Sequence, residues 1–279
     1  MNRKIAIVTG ATSGFGLLTA VKLAQTYTVI ATARQPEQAS ALRETAALHN
    51  VEAFIHITAL DVTDERSISD FGEALRAYGP VDLLVNNAGT AYGGFIEELP
   101  MNHYRKQFET NVFGLISVTK TVLPFLRKHG AKIINVSSIS GLTGFPALSP
   151  YASSKHALEG FSESLRLEML PFGIETAVVE PGSYQTSIWR KSMSGNMTAS
   201  APGSAYHHYY KTILSYVEKN EIESGNPQEV ADLIYQLALK KRIRKLRYPV
   251  GKGVKLTLLF RALFPWSFWE YILKKKLFK

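Results

Sequence analysis

The chain has 279 residues, enough for one large domain or two small ones with a sizeable hydrophobic core, and its 46% apolar and 20% charged content is typical of a globular protein. It has no cysteine, which excludes disulfides and thiolate metal sites and favours a reducing, cytoplasmic location, and no apolar run reaches the roughly 18 residues that span a membrane. The net charge of +9 is unevenly distributed. Residues 240–279 hold 13 basic residues and one acidic residue, while the remainder of the chain holds 19 basic and 22 acidic residues. This near-neutral body argues against a nucleic-acid-binding protein.

Short Val/Ile-rich segments alternate with helical segments over about the first 180 residues. The predicted strands are KIAIVT, TVIATA, AFIHITAL, VDLLVNN, KIINVSS and IETAVVE. Helices are predicted at about 14–27, 37–49, 64–78, 101–129, from about 150, and at 227–241. Strands without polar alternation are typical of a sheet buried on both faces. The repeated units therefore predict an α/β fold, a doubly wound parallel sheet of the Rossmann type in a single domain, 1–279.

The first predicted strand ends in a glycine-rich turn, TGATSGFG at residues 9–16, which opens a helix. Gly10, Gly14 and Gly16 remove side chains where backbone would approach a ligand, and the helix N-terminus favours a pyrophosphate. The spacing is G-x-x-x-G-x-G, not the usual G-x-G-x-x-G, and no lysine marks a P-loop NTPase. The context predicts a dinucleotide site at this turn.

The end of the second strand bears on the choice of cofactor. A site for NAD needs a carboxylate there for the ribose 2′-hydroxyl, whereas this chain has Ala33 and Arg34. A guanidinium can pair with a 2′-phosphate through two parallel hydrogen bonds, so we favour NADP(H) over NAD(H). The alternative is that Arg34 is only a solvated loop residue.

Over residues 4–186 these features resemble the short-chain dehydrogenase/reductase family. The motifs are the glycine turn, Asp61-Val62, NNAG at 86–89, TNVFG around Asn111, NVSS with Ser138, Tyr151-x-x-x-Lys155 and EPGSYQT at 180–186. Ser138 lies 13 residues before Tyr151, which is the interval usual in that family. The segments VTGATSGFG, ATAR and RYPVG are similar to its 17β-hydroxysteroid and retinol dehydrogenase group.

The glycine turn, Arg34 and the residues that the resemblance implies together give two sets of site residues. The catalytic set is Asn111, Ser138, Tyr151 and Lys155. The cofactor-binding set is Gly10, Thr12, Ser13, Gly14, Phe15, Gly16, Arg34, Asp61, Val62, Asn87, Ala88, Gly89, Tyr151, Lys155, Pro181, Gly182 and Thr186.

The spacing of Tyr151 and Lys155 suits proton transfer, because residues i and i+4 share one face of a helix. A free tyrosine has a pKa near 10, and we expect the nearby ammonium to lower it. Ser138 would donate to the same substrate oxygen, and the resemblance gives Asn111 a water that links Lys155 to solvent. The expected reaction is hydride transfer between nicotinamide and a carbonyl or alcohol, with Tyr151 as general acid/base.

The regular alternation stops after Gly182, where the family has its substrate-binding lid, here about 183–226. Trp, Met and Tyr in this segment suit an apolar ligand, and packing of these side chains onto the body is an equal alternative. His207 and His208 lack ligand-spaced partners, so no metal site is expected. For the basic extension, about 240–279, we favour a helix pair that closes the pocket or an oligomer interface over peripheral contact with an anionic membrane.

Two other functions stay open from the sequence. An epimerase or dehydratase could use the same scaffold, although such relatives usually have a different glycine spacing and a larger C-terminal domain. A regulatory protein could bind NADP without turnover, although it would not need the complete catalytic set. The resemblance also implies a homodimer or homotetramer.

Overall fold

The computed structural model describes residues 3–127, 130–184, 203–222 and 224–277. Its centre is a parallel sheet of seven strands in the order β3-β2-β1-β4-β5-β6-β7. The strands are β1 (Lys4–Val8), β2 (Tyr27–Ala33), β3 (Ile55–Ala59), β4 (Leu83–Asn86), β5 (Lys132–Val136), β6 (Glu175–Pro181) and β7 (Arg247–Val250). The order reverses between β1 and β4, which confirms the predicted doubly wound Rossmann-type fold.

Helices cover both faces of the sheet. They are α1 (Gly14–Leu23), α2 (Ser40–Leu48), α3 (Glu65–Leu75), α4 (Met101–Phe108), α5 (Leu115–Leu126), α6 (Ser149–Glu168), α7 (His207–Ile222), α8 (Gln228–Leu239), α9 (Val254–Leu263) and α10 (Trp266–Leu277). Side chains of β1 show the two-sided burial, since Ala6 and Val8 pack with α1, α2 and α8 while Ile7 packs with α3, α5 and α6. This explains why the strands carry no polar alternation.

The long helix predicted at 101–129 is interrupted in the structure. A π-helical segment, Glu109–Gly114, separates α4 from α5. A Cβ on Gly114 would lie 2.5 Å from the carbonyl oxygen of Val62, so the backbone here runs against the loop after β3. The interruption is therefore built on a tertiary contact that periodicity alone does not reveal.

Two features of the C-terminal third were not predicted as elements. The motif RYPVG forms β7, which pairs with β6 at the edge of the sheet, where the missing N–H of Pro249 is tolerated. Helix α7 lies within the predicted lid. The helix pair expected at the C-terminus is present as α9 and α10, and in the described ranges no helix is both long and apolar enough to cross a bilayer.

Candidate active site

The predicted motifs that follow the strands meet, as far as the structure describes them, at one edge of the sheet. The strands are parallel, so their carboxyl ends share an edge, and this edge is where open α/β sheets bind ligands. The predicted residues that follow β1 to β6 within two positions are, in that order, Gly10, Arg34, Asp61, Asn87, Ser138 and Gly182.

The glycine turn is packed too closely to accept side chains. Gly10 has φ +65°, and a Cβ there would lie 2.8 Å from the Cα of Ala88. A Cβ on Gly16 would lie 2.3 Å from both Nδ2 of Asn87 and the carbonyl oxygen of Gly10. The Asn87 amide donates to the carbonyl oxygens of Thr9 (2.8 Å) and Gly10 (3.1 Å), which fixes the turn against the NNAG motif.

Thr9 is a supporting residue that the sequence analysis did not single out. Its hydroxyl oxygen accepts hydrogen bonds from the backbone N–H groups of Asn87 and Ala88, each at 2.9 Å. These contacts join the ends of β1 and β4 at the point where the strand order reverses. A threonine directly before a glycine turn is the signal that could have identified it.

The N-terminus of α1 fits a pyrophosphate. Ser13 is extended and exposed and does not cap the helix with its side chain, and the first turn contains no acid. Backbone N–H groups at such a terminus favour an anion. Thr12 and Phe15 are half-buried in the same turn, and the ring of Phe15 meets Tyr184 edge to face at 5.5 Å.

The residues expected around the adenosine half lie beside the turn. The N–H of Ala11 donates to the carbonyl oxygen of Thr32 at 2.9 Å, two residues before the exposed Arg34. The Asp61 carboxylate accepts from the N–H and hydroxyl of Thr63, at 2.9 and 2.7 Å, and Val62 is buried. Arg34 is thus exposed and lies close enough in the chain to this contact to reach a phosphate near the turn.

Tyr151 and Lys155 are both buried in the first turns of α6, which begins at Ser149 with Pro150 in its first turn. Lys155 Nζ donates to the carbonyl oxygen of Val136 at 2.8 Å and lies 5.8 Å from the centroid of the Tyr151 ring. Ser138 follows the same strand and is hydrogen-bonded to Tyr151. The structure therefore brings three of the four predicted catalytic residues together.

The pKa of Tyr151 departs from the expectation of a lowered value. Burial raises the pKa of Tyr151 to about 12, and the Ser138 hydrogen bond only partly opposes this. Burial also lowers the pKa of Lys155 to about 8, against the attraction of Glu159. In the protein alone, desolvation outweighs the effect of the ammonium on the phenol.

Asn111 lies buried in the π-helical segment and holds a neighbouring loop. Its Oδ1 accepts from the N–H of Thr90 at 2.9 Å, and its Nδ2 donates to the carbonyl oxygen of Thr90 (3.0 Å) and the hydroxyl of Ser154 (3.2 Å). Buried Gln107 supports the same loop, since its Nε2 donates to the Thr90 oxygen at 2.6 Å. Asn111 is linked to the Tyr151–Lys155 helix through Ser154, and the loop begins after the exposed Gly89.

An ionic cluster that contains two buried carboxylates, close to Lys155, was also missed by the sequence analysis. Arg247 Nε lies 3.0 Å from Glu159 and 3.4 Å from Glu180, and its Nη2 donates to Glu163 at 2.6 Å. Glu159 and Glu180 are almost fully buried, and this burial raises the pKa of Glu180 to about 7. Glu159 stands one turn after Lys155, a spacing that could have identified it.

The last predicted residues to be placed are those of the turn after β6 and the two adjacent histidines. Pro181 and Gly182 lie at the site edge, and a Cβ on Gly182 would meet Val254 at 2.5 Å. Thr186 lies outside the described residues. Among the described residues, which include His207 and His208, no three histidines or acids are grouped so that they could hold a metal ion.

A glycine turn at a helix N-terminus, beside a buried Ser-Tyr-Lys set, is the arrangement expected of a nicotinamide-dependent oxidoreductase. The family model for short chain dehydrogenases matches residues 4–196, so the chain belongs to the short-chain dehydrogenase family. The resemblance inferred from the motifs is therefore confirmed.

Individual relatives agree with this assignment. The chain is 76% identical over 279 residues, all of both chains, to the uncharacterized oxidoreductase YusZ of Bacillus subtilis (strain 168). It is 33% identical to a 3-ketodihydrosphingosine reductase of Bacteroides thetaiotaomicron, with 86% of each chain covered. It is 37% identical to retinol dehydrogenase 8 of Bos taurus, with 84% of this chain and 77% of the other covered. An actinorhodin polyketide ketoreductase solved with NADPH superposes with a TM-score of 0.75 at 29% identity, covering 91% of this chain and 99% of the other.

Proposed function

We propose that this protein catalyses NADP(H)-dependent hydride transfer between nicotinamide and the carbonyl or alcohol carbon of an apolar substrate. The observation that carries the proposal is the buried Tyr151, hydrogen-bonded to Ser138 and one turn from Lys155, at the same sheet edge as the glycine turn. A dinucleotide-binding regulator would have no use for such a proton donor.

The bound nicotinamide would supply or accept the hydride. Because burial holds its proton at neutral pH, Tyr151 can deliver that proton to the alkoxide that develops during reduction. The Ser138 hydroxyl donates to the same oxygen and stabilises its negative charge. The Lys155 ammonium stabilises the phenolate that remains.

An apolar substrate is supported by the lid and by the relatives. Phe95 stacks on Tyr206 with ring centroids 4.2 Å apart and meets Tyr209 at 5.5 Å, which places an aromatic cluster between the body and α7. The names of two relatives refer to ketodihydrosphingosine and retinol, which are compounds with a long hydrocarbon portion. The same aromatic packing also holds α7 on the body. The cluster therefore supports an apolar class of substrate and does not identify a particular compound.

Tyr151→Phe tests the mechanism, because it keeps the buried ring and removes only the hydroxyl. We expect turnover in an NADPH-oxidation screen over ketones, aldehydes, steroids, retinoids and sugars to fall by about two to four orders of magnitude. NADPH affinity, measured by fluorescence, should hardly change. Tyr271→Phe, at an exposed position on α10, is the matched control. Near-normal activity in Tyr151→Phe would refute this role, and NADPH binding with no turnover of any substrate would favour the regulatory alternative.

We propose NADP(H) as the preferred cofactor because Arg34 is exposed beside the turn and no carboxylate ends β2. Arg34→Asp should lower the ratio of kcat/KM for NADPH to that for NADH by about tenfold or more, since a bidentate phosphate pair is lost. Arg105→Asp, on α4, controls for the change in net charge. An unchanged ratio would show that Arg34 does not select the cofactor. Assembly as a homodimer or homotetramer stays a prediction, to be checked by light scattering.

A further inference from the structure

The apolar stripe of α9 faces away from the protein. Apolar residues at i, i+3, i+4 and i+7 lie on one side of a helix and normally pack on the core. In α9 this stripe is between 43% and 69% exposed, and it consists of Leu256, Leu259, Phe260 and Leu263. Val254 is the only buried residue of this helix.

The exposed stripe continues across the turn into α10. Phe260 stacks on Phe264 with centroids 5.6 Å apart, and Phe264 meets Phe268 at 4.6 Å. Trp266 and Tyr271 are 50% and 61% exposed. We call this surface the C-terminal face, and it consists of Leu256, Leu259, Phe260, Leu263, Phe264, Trp266, Phe268 and Tyr271.

Basic side chains accompany the C-terminal face. Residues 252–276 contain six basic residues and one acid, Glu270, which is already paired with Lys274 at 2.8 Å. The Arg261 guanidinium lies 5.0 Å from the centroid of the Trp266 ring, so a charge sits directly beside the apolar surface. Tryptophan and leucine accompanied by basic side chains are typical of helices that lie in the membrane interface.

The net charge near the C-terminal face distinguishes between two partners that could cover it, a second copy of the chain and a lipid bilayer. Two copies related by a two-fold axis would place the same net charge of +5 on both sides of the interface. An anionic bilayer instead offers negative headgroups to the basic residues and an apolar layer to the stripe.

We propose that the C-terminal face binds lipid bilayers that contain anionic lipid, lying in the interface without crossing it. This inference goes beyond the proposed reaction and holds whether or not the chain turns over a carbonyl. The two helices that carry the C-terminal face adjoin the candidate site at two points. Leu273 of α10 packs against the cluster that contains Phe95 and Ile213 of α7, and Val254 at the start of α9 packs against Gly182.

The test is co-sedimentation of the full chain with vesicles of phosphatidylcholine alone and of phosphatidylcholine and phosphatidylglycerol in equal parts, at low and high salt. We expect binding to the anionic vesicles only, weakened by salt. Replacing Lys274, Lys275 and Lys276 with Gln should lower the partition coefficient by on the order of a hundredfold, since each basic residue near an anionic surface contributes roughly fivefold. Leu259→Ser with Leu263→Ser should lower it by at least about tenfold.

Two matched variants control for charge and hydrophobicity elsewhere on the surface. They are Arg105, Lys106 and Lys120 to Gln, and Leu48 with Leu167 to Ser, all at exposed positions. These controls should bind vesicles like the unmodified chain. If the serine variant does not fold, the lysine variant decides. Absence of binding to anionic vesicles at low salt, or an equal loss in the controls, would overturn the proposal. Conversion of an oligomer to a monomer by the serine variant without vesicles would instead assign the face to a second copy.

Discussion

Lys155→Met should make the folded protein more stable at neutral pH although it removes a predicted catalytic group. Burial lowers the pKa of Lys155 from its usual 10.5 to about 8, even with Glu159 acting in the opposite direction. Each tenfold change in an acid dissociation constant is worth about 1.4 kcal/mol, so charging this side chain costs the native state about 3 kcal/mol. Methionine fills a similar volume but loses the 2.8 Å hydrogen bond to Val136, which offsets about 1 kcal/mol. The net gain in the free energy of unfolding is about 2 kcal/mol.

This gain should depend on pH. Below about pH 8, Lys155 is protonated in both the folded and the unfolded chain, so the full penalty is present. Between about pH 8 and 10.5 the unfolded chain binds more protons than the folded one, and the stability of the unmodified protein rises with pH. The advantage of methionine therefore shrinks across this window.

The assay is urea unfolding of both proteins at pH 7 and pH 10, followed by circular dichroism. Lys120→Met, at an exposed position, controls for the general effect of removing an ammonium. A variant that is less stable than the unmodified chain at pH 7 would refute the reasoning. So would a gain of the same size at both pH values, because the gain would then not come from the buried charge.

Arg247→Ala should destabilise the fold by about 3 kcal/mol, because it leaves Glu159 and Glu180 buried without their cation. In urea unfolding, the loss should be smaller at pH 5 than at pH 8. The pKa of Glu180, already raised to about 7, would rise further without Arg247, and the protonated carboxyl needs no cation. An equal loss at both pH values would contradict this reasoning. Gly16→Ala should weaken NADPH binding at least about tenfold, since its Cβ would lie 2.3 Å from two atoms of the turn. Gly160→Ala, where a Cβ meets nothing within 4 Å, should leave binding unchanged, and equal affinities of the two variants would contradict the steric argument.

The sequence predicts the sheet and the convergence of the motifs because both follow from local pattern. Val/Ile-rich strands alternating with helices allow few arrangements, and a parallel sheet brings every strand end to one edge. The π-helical interruption around Asn111 does not follow from such a pattern. It depends on the contact between Gly114 and Val62, which are far apart in the chain.

The direction of the pKa shift of Tyr151 was predicted wrongly for a related reason. Spacing places Lys155 beside Tyr151, but it does not tell how deeply either group is buried. Both side chains lie below 10% exposure, and desolvation then opposes the charged form of each. A pKa argument from neighbours alone therefore gave the wrong direction for the phenol in the protein without its cofactor.

The segment from β7 to α9 connects the C-terminal extension to the site. Arg247 of β7 pairs with Glu159, one turn beyond Lys155, and Val254 packs against Gly182 in the turn after β6. The same eight residues thus contact the helix that carries the proton donor and the turn beside the expected nicotinamide position. Helix α9 begins at the end of this segment. The helix that carries half of the C-terminal face is therefore joined directly to residues that contact α6 and the turn after β6. The C-terminal extension therefore packs against both the helix that carries Tyr151 and the turn after β6.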